Sequence, residues 1–181
     1  MCSRSSLKHD QDQHLQQERK LDFLTNVVKV IINQKVYEAP RVLLMKSNTF
    51  KNIIDGKDFN GVIEISDVDR EASEVTIEVL RHLFNEPVKD PVIGLYGAIS
   101  HGLEDLRMKC ETTIISREII NAKNVCDLYK LPKLSEHFRD YCKKFIVANY
   151  EAVIPSDSWL DLNRENCKLV IELFRFMSAQ K

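Results

Sequence analysis

From Val27 to Ile32 the chain reads VVKVII, with Val28, Val30 and Ile32 on one alternation and Val27 and Ile31 on the other. Alternation with apolar residues on both faces predicts a largely buried strand. Asn33-Gln34-Lys35 supplies a tight polar turn, and Val36 and Tyr37 begin a return strand, so the pattern predicts a β-hairpin. Pro40 follows at once. Proline fits the first helical position, where its missing N–H would have no partner anyway. A short helix is therefore expected over 40–46, burying Leu43 and Leu44, with another turn placing Phe50, Ile53 and Ile54. DGKDFNG, residues 55–61, is a loop by its Gly and Asp content, and VIEIS after it alternates as a further strand.

Beyond this point the period lengthens. DVDREASEVTIEVLRHLF, residues 67–84, opens with acidic residues suited to a helix N-terminus. It carries Ala72, Thr76, Val79, Leu80 and Leu83 on one face of a 3.6-residue period. NEPVKDP breaks that helix, and the remainder reads as helices over 91–100, 103–114, 120–130, 133–148 and 164–179. The fourth of these shows Leu134, Phe138, Tyr141, Cys142, Phe145 and Ile146 as one stripe, with Glu136, Arg139, Asp140, Lys143 and Lys144 opposite. At the other end, residues 1–12 are polar and expected to be disordered. Residues 13–24, QHLQQERKLDFL, predict a short helix showing Leu15, Leu21, Phe23 and Leu24.

Composition narrows the function classes. The 181 residues suffice for one domain, or one domain with a helical extension, and 44% hydrophobic with 29% charged residues is a globular balance. A chain this size buries roughly two-thirds of its unfolded surface, so it needs no metal or disulfide staple. The 26 basic residues nearly cancel the 27 acidic ones, which argues against a nucleic-acid partner. No apolar run reaches the length of a spanning helix, and no membrane partner is expected. The N-terminus lacks the apolar stretch of a secretory signal, and five scattered cysteines do not make a disulfide framework. A reducing cytoplasmic or nuclear location is expected.

Candidate chemistry is sparse. His9, His14, His82, His101 and His137 show no i, i+4 pairing, and Cys110, Cys126 and Cys142 lie sixteen residues apart with no CxxC among them. Buried thiols packing as small hydrophobes are expected there. Asp55 and Asp58 read as solvated turn residues, and no phosphate-cradling glycine loop is present. No enzyme, cofactor or metal is expected. What remains is surface: the strip of Leu15, Leu21, Phe23 and Leu24 lies outside the hairpin-and-helix core and is expected to meet a second copy of the chain.

Residues 25–54, TNVVKVIINQKVYEAPRVLLMKSNTFKNII, resemble the opening of a BTB/POZ domain. Glu38-Ala39-Pro40 falls on that family's Ala-His-Lys, Val42-Leu43 on its apolar pair, and Ser47 and Phe50 on its Ser-x-x-Phe. Asp67 and Val68 fall on its Asp-Val. AISHGLEDLRMKCE is similar to its paired-helix signature through Ala98, Gly102, Leu103, Glu104, Leu106, Cys110 and Glu111. The tail resembles a BACK-like, three-box helical segment through Phe145-Ile146, Asn149, Val153, Ser156 and Trp159.

The resemblance implies an α+β fold, a small β-sheet flanked by a cluster of α-helices, with an all-α C-terminal extension. The expected division is a polar N-terminus over 1–12, the BTB/POZ part over 13–116 and the BACK-like part over 117–181. It implies a protein-interaction module that homodimerises through Leu15, Leu21, Phe23, Leu24 and Leu43. As an adaptor it would link partners to a cullin-3 ubiquitin ligase, the cullin-facing surface including Asp58, Phe59, Asn60 and His101. The family's apolar-x-Glu loop motif is met by Phe59-Asn60-Gly61, which has the apolar residue and lacks the Glu. The alternative is a dimerisation or scaffold module without a ligase role, transcription-regulatory or pairing with other BTB proteins. The groove of the transcription regulators carries an Asp and a Lys where this chain has Asn26 and Pro40, so that groove is not expected here.

Overall fold

The computed structural model describes residues 26–65 and 70–179. The expected helix over 13–24, the strip residues Leu15, Leu21, Phe23 and Leu24, and the Asp67-Val68 pair lie outside these residues. The described chain is α+β. Its strands are β1 (Val27–Ile32), β2 (Lys35–Pro40) and β3 (Val62–Ile65). By packing it divides into two compact units, one running through Lys89 and including Ser100–Leu103, the other holding Asp90–Ile99 and everything from Glu104 onward. That division does not fall at the expected 116/117.

In the first unit the sheet order is β2-β1-β3, with β1 antiparallel to β2 and parallel to β3. The hairpin turn is two residues, not three: Asn33 and Gln34 both have positive φ, 47° and 68°, and Lys35 already pairs with Ile32. Two left-handed residues give the turn whose twist matches that of the strands. The core face carries Val28, Val30, Ile32, Ala39 and Ile63, all buried. The opposite face is open, with Val27 43% and Val36 57% exposed, so β1 is buried on one side only. The same register places the charged Lys29, Glu38 and Glu64 on that open face, which explains why it stays in water.

Pro40 is not the first helical residue. It ends β2 and caps the one-turn helix α1 (Arg41–Leu44) with an extended ψ of 129°. A two-residue hairpin makes Ile32–Lys35 a hydrogen-bonded pair, and every second pair after it bonds likewise. The Arg41 N–H donating to the Asn26 carbonyl at 2.8 Å continues that alternation. Positions 36, 38 and 40 therefore turn their backbone groups to the outer edge of the sheet. The missing N–H of Pro40 costs the ladder nothing there, and it blunts an edge open to strand pairing.

The expected run of helix from Pro40 is broken by Ser47. Its hydroxyl accepts from the Phe50 N–H at 3.2 Å, and this cap starts α2 (Asn48–Ile54). Helix α3 (Arg70–Leu83) buries Thr76, Val79, Leu80 and Leu83, as its periodicity predicts. Helix α4 (Pro91–His101) has its proline at the first position, and the Asp90 carboxylate accepts from the N–H groups of Val92 and Ile93. Gly102 ends it at φ +66°, and a Cβ there would lie 2.2 Å from Asn48 Nδ2.

The second unit is helical: α5 (Glu104–Ser116), α6 (Val125–Tyr129), α7 (Glu136–Ala148), α8 (Tyr150–Val153), α9 (Asp157–Glu165) and α10 (Cys167–Ser178). The expected helix over 120–130 shrinks to α6 because the Asn121 and Asn124 side chains bond the local backbone in its place. Ser135 caps α7 three residues into the expected span, Ser156 caps α9, which lies almost wholly where no helix is expected, and the expected 164–179 helix begins as α10 at Cys167. Lys143 on α7 pairs with Glu172 on α10 at 2.5 Å. Among the described residues, no helix is long and apolar enough to cross a membrane.

Gly102→Ala is expected to lower stability by about 1–3 kcal/mol, from the left-handed backbone and the collision with Asn48 together. Adding Asn48→Ala should recover only the collision, and urea midpoints of the two variants check this.

Candidate functional site

The loop after α2 is short and tied at both ends. The Gly56 N–H donates to the Ile53 carbonyl, the Phe59 N–H to the Gly56 carbonyl at 3.3 Å, and the Val62 N–H to the Asn60 side chain at 3.1 Å. The Gly61 carbonyl accepts from the Lys29 N–H of β1, and Gly61 itself sits at φ +91°. The loop thus presents Asp58 and Asn60 exposed and Phe59 half-buried. The Arg41 guanidinium lies over the Phe59 ring, 6.0 Å from its centroid. This contact crosses eighteen residues of sequence and left no signal in the hydrophobic pattern.

His101 is not on that surface. It is 6% exposed, with its Nδ1 2.8 Å from the Ser47 hydroxyl and its ring edge-on to Phe50. The same Ser47 hydroxyl accepts from the Phe50 N–H, so it is shared between the two contacts. Burial pushes the His101 pKa down to about 4. A Ser–His distance of this size is what an activated nucleophile needs. Ser47, however, is 0% exposed and both partners are occupied, so the pair locks α2 to the end of α4 and reaches no substrate. Thr49 adds a second tie to the Ser100 carbonyl. Leu43, expected in a dimer contact, is half-buried on α1.

In the second unit, Arg107 stands between two carboxylates, each about one turn away along the helix. It pairs with Glu104 on one side and, at 2.5 Å, with Glu111 on the other. The same Glu111 oxygen accepts from the Ser135 N–H at 3.0 Å, joining α5 to the start of α7. Hydrogen bonding to Arg107 holds the Glu104 carboxyl below the usual carboxylate range and pushes the guanidinium further up. The i, i+3, i+4 spacing of these residues is the signal that could have found the cluster. A groove of about 380 Å³ runs beside it, floored by Met108 and Ile115. A second, of about 540 Å³, is lined by Asp127, Asp157 and Asp161, of which Asp127 pairs with Lys130 and Asp161 with Arg164.

Cys110, Cys126 and Cys142 are all buried, as packing thiols should be. Burial pushes the Cys126 thiol up to about 11 and that of Cys142 to about 12, leaving both protonated and unreactive near neutral pH. Among the described residues, no three His, Cys, Asp or Glu side chains form a metal-binding group.

Two outcomes follow from these pairings. The unfolded chain protonates His101 near pH 6.5 and the folded chain near 4, so the His101 contribution is complete above about 6.5 and is lost as pH falls towards 4. The loss should approach about 3 kcal/mol and be absent from His101→Gln, read as the difference between their urea stabilities at pH 7 and pH 4.5. Arg107→Met should cost about 3–5 kcal/mol, since it leaves Glu111 buried without its partner. Adding Glu111→Met should restore most of that loss, as thermal unfolding of both variants would register.

No protein-family model matches this chain, and no curated protein matches it in sequence.

Proposed function

We propose that this chain is a BTB/POZ-type interaction module with a BACK-like helical extension, acting as a homodimeric adaptor that links partners to a cullin-3 ubiquitin ligase. The observation that carries the reading is the tied loop from Gly56 to Gly61. It holds Phe59 half-exposed between Asp58 and Asn60, the segment that the family resemblance assigns to the cullin-facing surface. The order of elements supports it: a hairpin, a one-turn helix, a Ser47-capped helix and a third strand parallel to β1, followed by helices. His101, assigned to the same surface, contributes from inside by fixing α2, the helix that feeds the loop.

One observation favours the second reading, a dimerisation module without a ligase role. The position of the family's loop Glu is held by Gly61, whose φ of +91° disfavours any side chain.

Phe59→Glu separates the two. In the adaptor it places an unpaired charge where an apolar contact forms, so co-purification with cullin-3 should drop at least about tenfold. Light scattering should still give the mass of a dimer. Undiminished capture of cullin-3 removes the loop from the interface, and no capture by the unmodified chain selects the scaffold reading.

A further inference from the structure

Arg41 is the first residue of α1, and its backbone N–H is committed to β1 through the Asn26 carbonyl. Its side chain turns towards the loop and ends over the Phe59 ring. Among the described residues no carboxylate pairs with it, although Arg81, Arg107 and Arg164 each have one. A guanidinium held over an aromatic face by its charge leaves its N–H donors free for another partner. The ring, in turn, loses freedom: the guanidinium lies over it, and the loop is bonded through the backbone at Gly56 and Gly61 and the side chain at Asn60, with Phe59 half-buried.

We propose that Arg41 and Phe59 are one composite recognition element, which fits a protein partner presenting an apolar slot with a carboxylate at its rim. This rests on the reading of the Gly56–Gly61 loop as a docking loop, and deepens it by naming the chemistry of the partner surface. Arg41 plays two parts in it. It positions the ring before binding, lowering the ordering cost of the contact. It also offers the carboxylate a charge-assisted, planar pair of donors that a lysine cannot match. Charge complementarity is the argument for the occupant: an arginine with no carboxylate pair among the described residues, beside an apolar contact, favours a partner that brings a carboxylate to it.

The test uses the full 181-residue chain and purified cullin-3 as the probe, with a readout on the free chain beside it. In the free chain, the Arg41 Nε–H proton should be shifted upfield by the Phe59 ring current and return to its ordinary position in Phe59→Leu. An unshifted proton overturns the composite, whatever cullin-3 does. With cullin-3, Arg41→Ala should weaken binding about tenfold, Arg41→Lys about threefold, and Arg41→Glu more than either. The gap between the unmodified chain and Arg41→Ala should narrow as salt is raised. If Phe59→Glu abolishes binding while all three Arg41 variants bind within twofold of the unmodified chain, the composite is overturned and the docking loop stands. Failure of the unmodified chain to bind overturns the docking-loop reading and this partner with it.

Discussion

The hydroxyl of Ser47 does two jobs at one atom. It accepts the Phe50 N–H and so starts α2, and it shares a hydrogen bond with Nδ1 of His101, where α4 ends. Neither partner can be swapped for another, because both are buried and water cannot replace a lost bond there. The geometry then propagates along the chain. With its first turn fixed, α2 delivers Ile53 and Ile54 at a set angle, Gly56 bonds back to the Ile53 carbonyl, and the loop begins from a defined point. Its far end is defined by the sheet, through Gly61 and Lys29. Phe59 is thus held from two directions by bonds that do not involve its own side chain.

The second unit solves the equivalent problem with charge. Glu111 is buried, accepts the Ser135 N–H, and is balanced by Arg107, so α7 begins against α5 through an ionised contact. A neutral Ser–His pair tolerates the loss of water because neither group carries a charge to desolvate. An ion pair in the same setting depends on every lone pair and proton being met. Arg107 meets this by engaging Glu104 as well, whose exposed side keeps part of the cluster in solvent. The two devices differ in kind: acid acts on the first through His101, while the second is a paired charge that Arg107 shares between Glu111 and Glu104.

What the sequence made legible followed from local rules. The hairpin, the amphipathic face of α3 and the stripe of α7 are all written in short-range periodicity, and the structure has them. Errors arose where side chains compete with the backbone. Asn121 and Asn124 shorten α6, Ser135 delays α7, and Ser156 caps α9, a helix missing from the expected set. Pro40 was read by its most common helical role, yet the edge of a sheet offers the same tolerance for a missing N–H. The site was less legible still, because its contacts join residues far apart in sequence. Ser47 meets His101 across fifty-four positions, a pairing no window of the sequence contains. His101 reads as a surface residue only while that contact is unknown.

The same distinction between backbone and side chain bears on the loop's chemistry. Nothing lies within 4 Å of a Cβ built on Gly61, so space does not exclude a side chain there; the positive φ does. That φ belongs to the turn into β3, in which the Gly61 carbonyl accepts from Lys29. A glutamate at this position would strain the turn that anchors the loop, so the carboxylate next to Phe59 is that of Asp58, on the other side of the ring residue. The charge that lies over the ring is positive and comes from α1. If the loop docks a partner, that contact meets a guanidinium over the ring and the Asp58 carboxylate beside it, where an apolar-x-Glu loop would carry its charge two residues after the apolar one.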